Sequence, residues 1–155
     1  MSKKIFSKEV VILLLLMVLF KLSIVTYIVH GESMTPSLAN GEFGMGIRTS
    51  LCEINRFDIV IIDVPDYDNK LLIKRVIGLP GETVKYENNI LFINDEAIYD
   101  EYNFGTTQNF DQVTLGKDEY FCLGDNRNNS SDSRIFGAFK IKNIKAISLD
   151  IFKKN

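Results

Sequence analysis

The feature that leaves this chain the fewest options is an apolar stretch at residues 10–29, in which only Lys21, Ser23 and Thr26 are clearly polar. At about 1.5 Å per residue such a helix reaches ~30 Å, the thickness of a bilayer's hydrocarbon core. Lys21 near its middle costs about 2.5–3.5 kcal/mol, while each surrounding Leu, Ile, Val or Phe returns roughly 0.3–0.6 kcal/mol, so insertion wins. Lys3, Lys4 and Lys8 come first, and basic flanks stay on the cytoplasmic side. The expected organisation is a cytoplasmic N-terminus at residues 1–9, a transmembrane anchor at 10–29 in the cell membrane, and an extracytoplasmic domain at 30–155. A cleaved secretory leader also starts with a basic segment and an apolar run, but no Ala-x-Ala follows here. A retained anchor is the better reading.

A chain of 155 residues with 46% hydrophobic content has room for one anchor and one compact domain. Its net charge of −2 hides an asymmetry, because residues 1–30 hold four lysines against one glutamate and the remainder is acidic. An acidic domain is a poor polyanion binder, so nucleic acid is excluded as a partner. Cys52, Cys122 and the single histidine, His30, have no metal-ligand spacing, so neither a metal nor another cofactor is expected. A Cys52–Cys122 bridge and two free buried thiols both fit the sequence.

Beyond the anchor the pattern changes to short β-type runs separated by turn residues. Candidate strands lie at 43–47, 57–64, 71–77, 83–86, 90–93, 97–99 and 119–123, with closing strands within 141–152. Leu79-Pro80-Gly81 reads as a turn, and Asn88-Asn89 and Asn94-Asp95 read as the tight turns of a meander. Residues 100–117 read as a long surface loop to which no chemistry is assigned. The class is all-β on a helical anchor.

Three pieces suggest chemistry when taken together. Gly31-Glu32-Ser33-Met34-Thr35-Pro36-Ser37-Leu38 puts a serine at the membrane boundary. Leu71-Leu72-Ile73-Lys74-Arg75-Val76-Ile77-Gly78 puts a lysine inside an apolar strand, with Leu72, Lys74 and Val76 on one face and Ile73, Arg75 and Ile77 on the other. A solvated edge strand would explain one of these two cations. Burial would instead penalise the ammonium and lower its pKa, making Lys74 a general base for a serine hydroxyl without any histidine. The third piece, residues 124–134, packs Asp125, Arg127, Asp132 and Arg134 among three serines, enough for an ordered ion-paired network.

These segments resemble those of bacterial type I signal peptidases, of the short Gram-positive kind within peptidase family S26. The matching pieces are the apolar stretch with the Ser33 segment, Arg56-Phe57-Asp58-Ile59-Val60, Lys74-Arg75-Val76-Ile77-Gly78-Leu79-Pro80-Gly81-Glu82, and Gly124-Asp125-Asn126-Arg127 with Asn129-Ser130 and Asp132-Ser133-Arg134. They occur in the family's order and span the domain. The Ser33 piece alone is shared with self-cleaving repressors, but those are cytosolic and carry a DNA-binding segment.

The resemblance implies a fold of coiled antiparallel β-sheets that holds an extended substrate as an added strand. It implies a serine endopeptidase that removes signal peptides from exported precursor proteins, cutting after small residues of the Ala-x-Ala type and acting as a monomer at the bilayer. Ser33 would be the nucleophile and Lys74 the general base. Ser130 would hydrogen-bond and orient the lysine, Asp132 and Arg134 would form a structural ion pair, and Met34, Leu38 and Ile73 would bind substrate. The alternative is a relative without catalysis, or one dedicated to a pilin-like partner, but a non-catalytic relative would be expected to lack the serine or the lysine. Gly31 stands where Gram-negative relatives carry a serine that helps hold the oxyanion. That leaves the Ser33 N–H as one donor, and Gly31→Ser is expected to be tolerated or mildly beneficial.

Overall fold

The computed structural model describes residues 7–64 and 70–149. Helix α1, Lys8–Ser23, has 16 residues and none of them is buried against the rest of the protein. It is shorter than the expected span because residues 24–28 leave the helix for strand β1, Ile24–Ile28. Their β-branched and aromatic side chains suit a pleated edge, and they pair antiparallel with β2, Phe43–Arg48, from Ile24↔Ile47 to Ile28↔Phe43. Tyr27 and Val29 are thereby buried in the domain. The apolar helix expected over residues 10–29 therefore ends at Ser23 and is about 24 Å long, and no helix among the described residues is long and apolar enough to cross a membrane.

The domain is built from two antiparallel sheets. After β1 and β2 come β3, Ile59–Val64, β4, Lys70–Gly78, β5, Thr83–Glu87, β6, Ile90–Ile93, and β7, Glu96–Ile98. There follow β8, Phe110–Thr114, β9, Glu119–Leu123, the four-residue helix α2, Ser133–Phe136, β10, Phe139–Lys140, and β11, Ile144–Leu149. The larger sheet runs β1-β2-β11-β3-β4-β9-β10 and the smaller β7-β6-β5-β8. The meander turns form as expected. Asn88, Asn89, Asn94 and Asp95 all have positive φ, the conformation that two-residue hairpin loops require. Gly81 likewise sits at φ +81° in the turn after β4.

The continuous apolar run of β3 is explained by burial on both sides. Ile59 and Ile61 join a cluster with Tyr27, Val29, Met34, Leu38 and Ala146. Val60 and Ile62 join another with Ile54, Val76, Cys122, Phe139 and Ile144. A third core fills the space between the sheets, where Val84, Tyr86, Leu91 and Ile93 meet Ile77, Phe121 and Leu123. Strand β4 lies between β3 and β9, so it is no solvated edge. Lys74 and Arg75 within it are buried, with 3% and 1% of their surface exposed. The two cysteines are free, Cys122 inside the core and Cys52 part-buried.

Candidate active site

Ser33 is delivered by a short irregular segment between β1 and β2. Gly31, at φ +86°, takes a backbone turn that L side chains resist, and its N–H donates to Asn40 Oδ1 at 2.9 Å. Met34 and Leu38 then drop into the core and pin the segment down. A single turn, in which the Leu38 N–H donates to the Met34 carbonyl at 2.9 Å, joins them. Ser33 stays part-exposed above them.

Lys74 meets it from β4. Its Nζ donates to Ser33 Oγ at 2.7 Å and to the Ile73 carbonyl at 2.8 Å. Burial lowers its pKa to about 8, although the carboxylates of Asp132 and Asp125 pull the other way. Desolvation wins because the ammonium has almost no water around it.

The loop after β9 closes the site from behind. The Asn126 N–H donates to the Ser33 carbonyl at 3.0 Å, and Asn126 Nδ2 donates to the Glu32 carbonyl at 3.2 Å. Gly124 is required by space: a β-carbon there would overlap Ser130 Oγ and approach within 2.5 Å of the Ser33 oxygen. Arg75, one residue past the lysine, forms a buried bidentate pair with Asp125 at 2.8 and 2.6 Å. It also donates to the Phe57 carbonyl at 2.7 Å and to Ser37 Oγ at 3.2 Å, and lies 3.4 Å over the ring of Tyr102. One guanidinium therefore ties together β4, the loop and the nucleophile segment.

Asp132 and Arg134 form an ion pair, with Nε to Oδ1 and Nη2 to Oδ2 both at 2.8 Å. Burial alone would raise the Asp132 carboxyl, but Arg134 and the Gly124 N–H hold it below the usual carboxylate range. Arg134 also donates to the Arg127 carbonyl at 2.7 Å. Ser130 is different. Its Oγ is buried against Gly124 and, among the described residues, makes no hydrogen bond of ordinary geometry, acting instead as a further influence that holds the Asp132 carboxyl low, whereas the expected arrangement gave it Lys74. The amine instead takes the Ile73 carbonyl, one residue back along its own strand, as its second partner.

An apolar cleft of about 580 Å³ opens beside Ser33 and Lys74, between Tyr27, Ile28 and Val29 on one side and Leu71, Leu72 and Ile73 on the other. Met34 and Ile61 also line it. Of the residues expected to bind substrate, Met34 and Ile73 reach this cleft, while Leu38 lies in the core beneath and is absent from its walls.

The residues that the sequence reading left without a role lie in the loop before β8. Asp100 accepts from Arg127 Nη2 at 2.6 Å and from the Tyr86 hydroxyl. Thr107 Oγ1 accepts from Arg127 Nη1 at 3.0 Å, and Tyr102 covers Arg75. The loop is a docked support of the site rather than a free surface excursion. The one signal for it was its mixture of aromatic and acidic residues in the same chain as a charge-dense run that carries two arginines.

Comparison with known proteins gives a consistent result. A family model described as signal peptidase, peptidase S26, matches residues 3–149. Signal peptidase I V of Bacillus subtilis is 35% identical, covering 81% of this chain and 84% of that protein. Signal peptidase I of Streptococcus pneumoniae is 34% identical, covering 92% and 91%. Among solved structures, a signal peptidase I from Enterococcus faecalis is similar with a TM-score of 0.56 at 33% identity, covering 62% of this chain and 97% of that one.

Proposed function

The chain belongs to the signal peptidase S26 family and is a signal peptidase I enzyme, and from that premise we propose that Ser33 and Lys74 are the pair with which it cuts signal peptides from exported precursors. The observation that carries this reading is the 2.7 Å contact between a buried amine and a part-exposed hydroxyl. When Lys74 is neutral the contact reverses, and the Ser33 hydroxyl donates to Nζ. As Oγ attacks the scissile carbonyl, Nζ takes its proton, then returns it to the departing amine, and a water repeats the cycle on the acyl-enzyme. Among the described residues none accepts from the Ser33 N–H, which leaves it as a donor for the oxyanion.

The apolar cleft supplies the subsite for small residues before the cut, with Met34 and Ile73 in its walls. Two strand edges face it: β1 is the outer strand of its sheet, and β4 pairs with β9 only from Arg75 onward, leaving Leu71, Leu72 and Ile73 without a strand partner on that side among the described residues. An extended chain can add to such edges through its backbone, so only small side chains beside Ser33 need be selected. Helix α1, with residues 10–20 and Leu22 exposed and apolar, is the membrane anchor of this reading, since a helix apolar all round belongs in an apolar solvent. A short hydrophobic helix is accommodated by local bilayer thinning and by snorkelling of Lys8 and Lys21. The catalytic domain then lies on the extracytoplasmic face.

The test uses the full chain in detergent with a precursor carrying an Ala-x-Ala site, and the new N-terminus is sequenced. Cleavage after the last Ala, lost in Ser33→Ala and in Lys74→Arg, is expected, because guanidinium stays charged. Activity surviving in Lys74→Arg sinks the neutral-amine mechanism.

A further inference from the structure

A second cleft, of about 510 Å³, opens beside Ser33 and is walled by His30, Glu32, Asn128, Asn129 and Ser131. It differs in chemistry from the apolar cleft, with which it shares only His30 and Ser33. A chain cut at Ser33 must leave the serine in two directions. If the small residues before the cut fill the apolar side, the residues after it are left to the polar one.

We propose that this polar cleft receives the first residues of the mature chain, and that Glu32 makes it prefer basic over acidic residues there. The assignment rests on the peptidase reading above. Asn128, Asn129 and Ser131 are exposed amides and a hydroxyl, able to bond the backbone of an extended segment whatever its side chains. Such walls tolerate sequence diversity, which suits the varied starts of exported proteins. Glu32 is the one carboxylate among the described residues that line this cleft, and no lysine or arginine is among them. Glu32 lines the same cleft as Ser33, so its carboxylate shares the space that the chain after the cut would enter.

The test compares two peptides with the same Ala-x-Ala site and either Lys or Asp as the second residue after the cut. The full chain in neutral detergent is assayed at about pH 8 and at low salt. The expected result is a kcat/KM about two- to fivefold higher for the Lys peptide, the range typical of an exposed charge pair. The difference should collapse in about 1 M salt, where screening reaches ~3 Å, and in Glu32→Gln, and it should widen in Asn128→Asp. Equal kcat/KM for the two peptides, or a Lys preference that persists unchanged in Glu32→Gln, overturns the assignment while leaving the peptidase reading intact. Failure to cut either peptide overturns both.

Discussion

Arg75 grips Asp125 through Nε to Oδ1 at 2.8 Å and Nη2 to Oδ2 at 2.6 Å, joining the strand that carries Lys74 to the loop that holds the Ser33 carbonyl. Both side chains are essentially without solvent, at 2% and 0% exposure. Breaking such a pair strands a buried charge, so Arg75→Ala or Asp125→Ala should each cost about 3–5 kcal/mol of stability in denaturant unfolding. The double substitution Arg75→Met with Asp125→Leu should recover much of that loss. A loss under 1 kcal/mol in either single variant would show the pair to be dispensable.

Lys74 sets a pH dependence. Its folded pKa is about 8 against about 10.4 in an unfolded chain. Only the neutral amine can accept the serine proton, so kcat/KM should rise through a midpoint near pH 8 and level off above it. A profile flat from about pH 6 to 10 would contradict a titrating lysine base.

The same displacement affects stability, with a definite sign. Between the two pKa values the unfolded chain binds more protons than the folded one, so stability rises with pH in that window. Below it the cost of the buried ammonium is fully present. Lys74→Met should therefore be more stable than the parent below about pH 8, by roughly 3 kcal/mol at about 1.4 kcal/mol per pH unit of displacement, and the gap should close by about pH 11. Thermal or denaturant unfolding across that range reads it directly.

Gly31 reverses an expectation drawn from the sequence. A side chain there would meet nothing within 4 Å, but the backbone sits at φ +86°, which costs an L residue about 1–2 kcal/mol. Gly31→Ser should lose about that much stability and some turnover, rather than gain. Unchanged melting and an unchanged or raised kcat would refute the strain argument.

Gly124 is constrained by volume instead of by conformation. The β-carbon of Gly124→Ala would overlap Ser130 Oγ and press on the Ser33 carbonyl, so the loop and the nucleophile must move apart. Overpacking of this kind costs about 1–3 kcal/mol, and kcat should fall with it. Full activity in this variant would mean that the loop can shift without disturbing Ser33.

The core strands and their turns were legible because their signals are local. Val60, Ile61 and Ile62 are β-branched residues in a short run that ends at turn residues and so read as a strand, and Asn88-Asn89 or Asn94-Asp95 tolerate the positive φ that hairpins need. Strand β1 was not legible. Ile24, Val25, Thr26, Tyr27 and Ile28 read equally as the end of an apolar helix or as an edge strand, and the choice depends on β2, a partner fifteen residues further on. Strand β8 was missed for the same reason, since Phe110–Thr114 alternates weakly and is held by pairing with β5.

At the site, the residue types at 33, 74, 132 and 134 were determined by the sequence alone, because a serine, a lysine in an apolar strand and a charge-dense loop are chemical statements that need no coordinates. The distance between Lys74 and Ser33, the place of Ser130 against Gly124 rather than on Lys74, and the clasp of Asp100, Thr107 and Tyr86 on Arg127 were decided only in three dimensions. Those depend on which strands lie side by side and how much water is excluded between them, and a linear order of residues carries neither quantity.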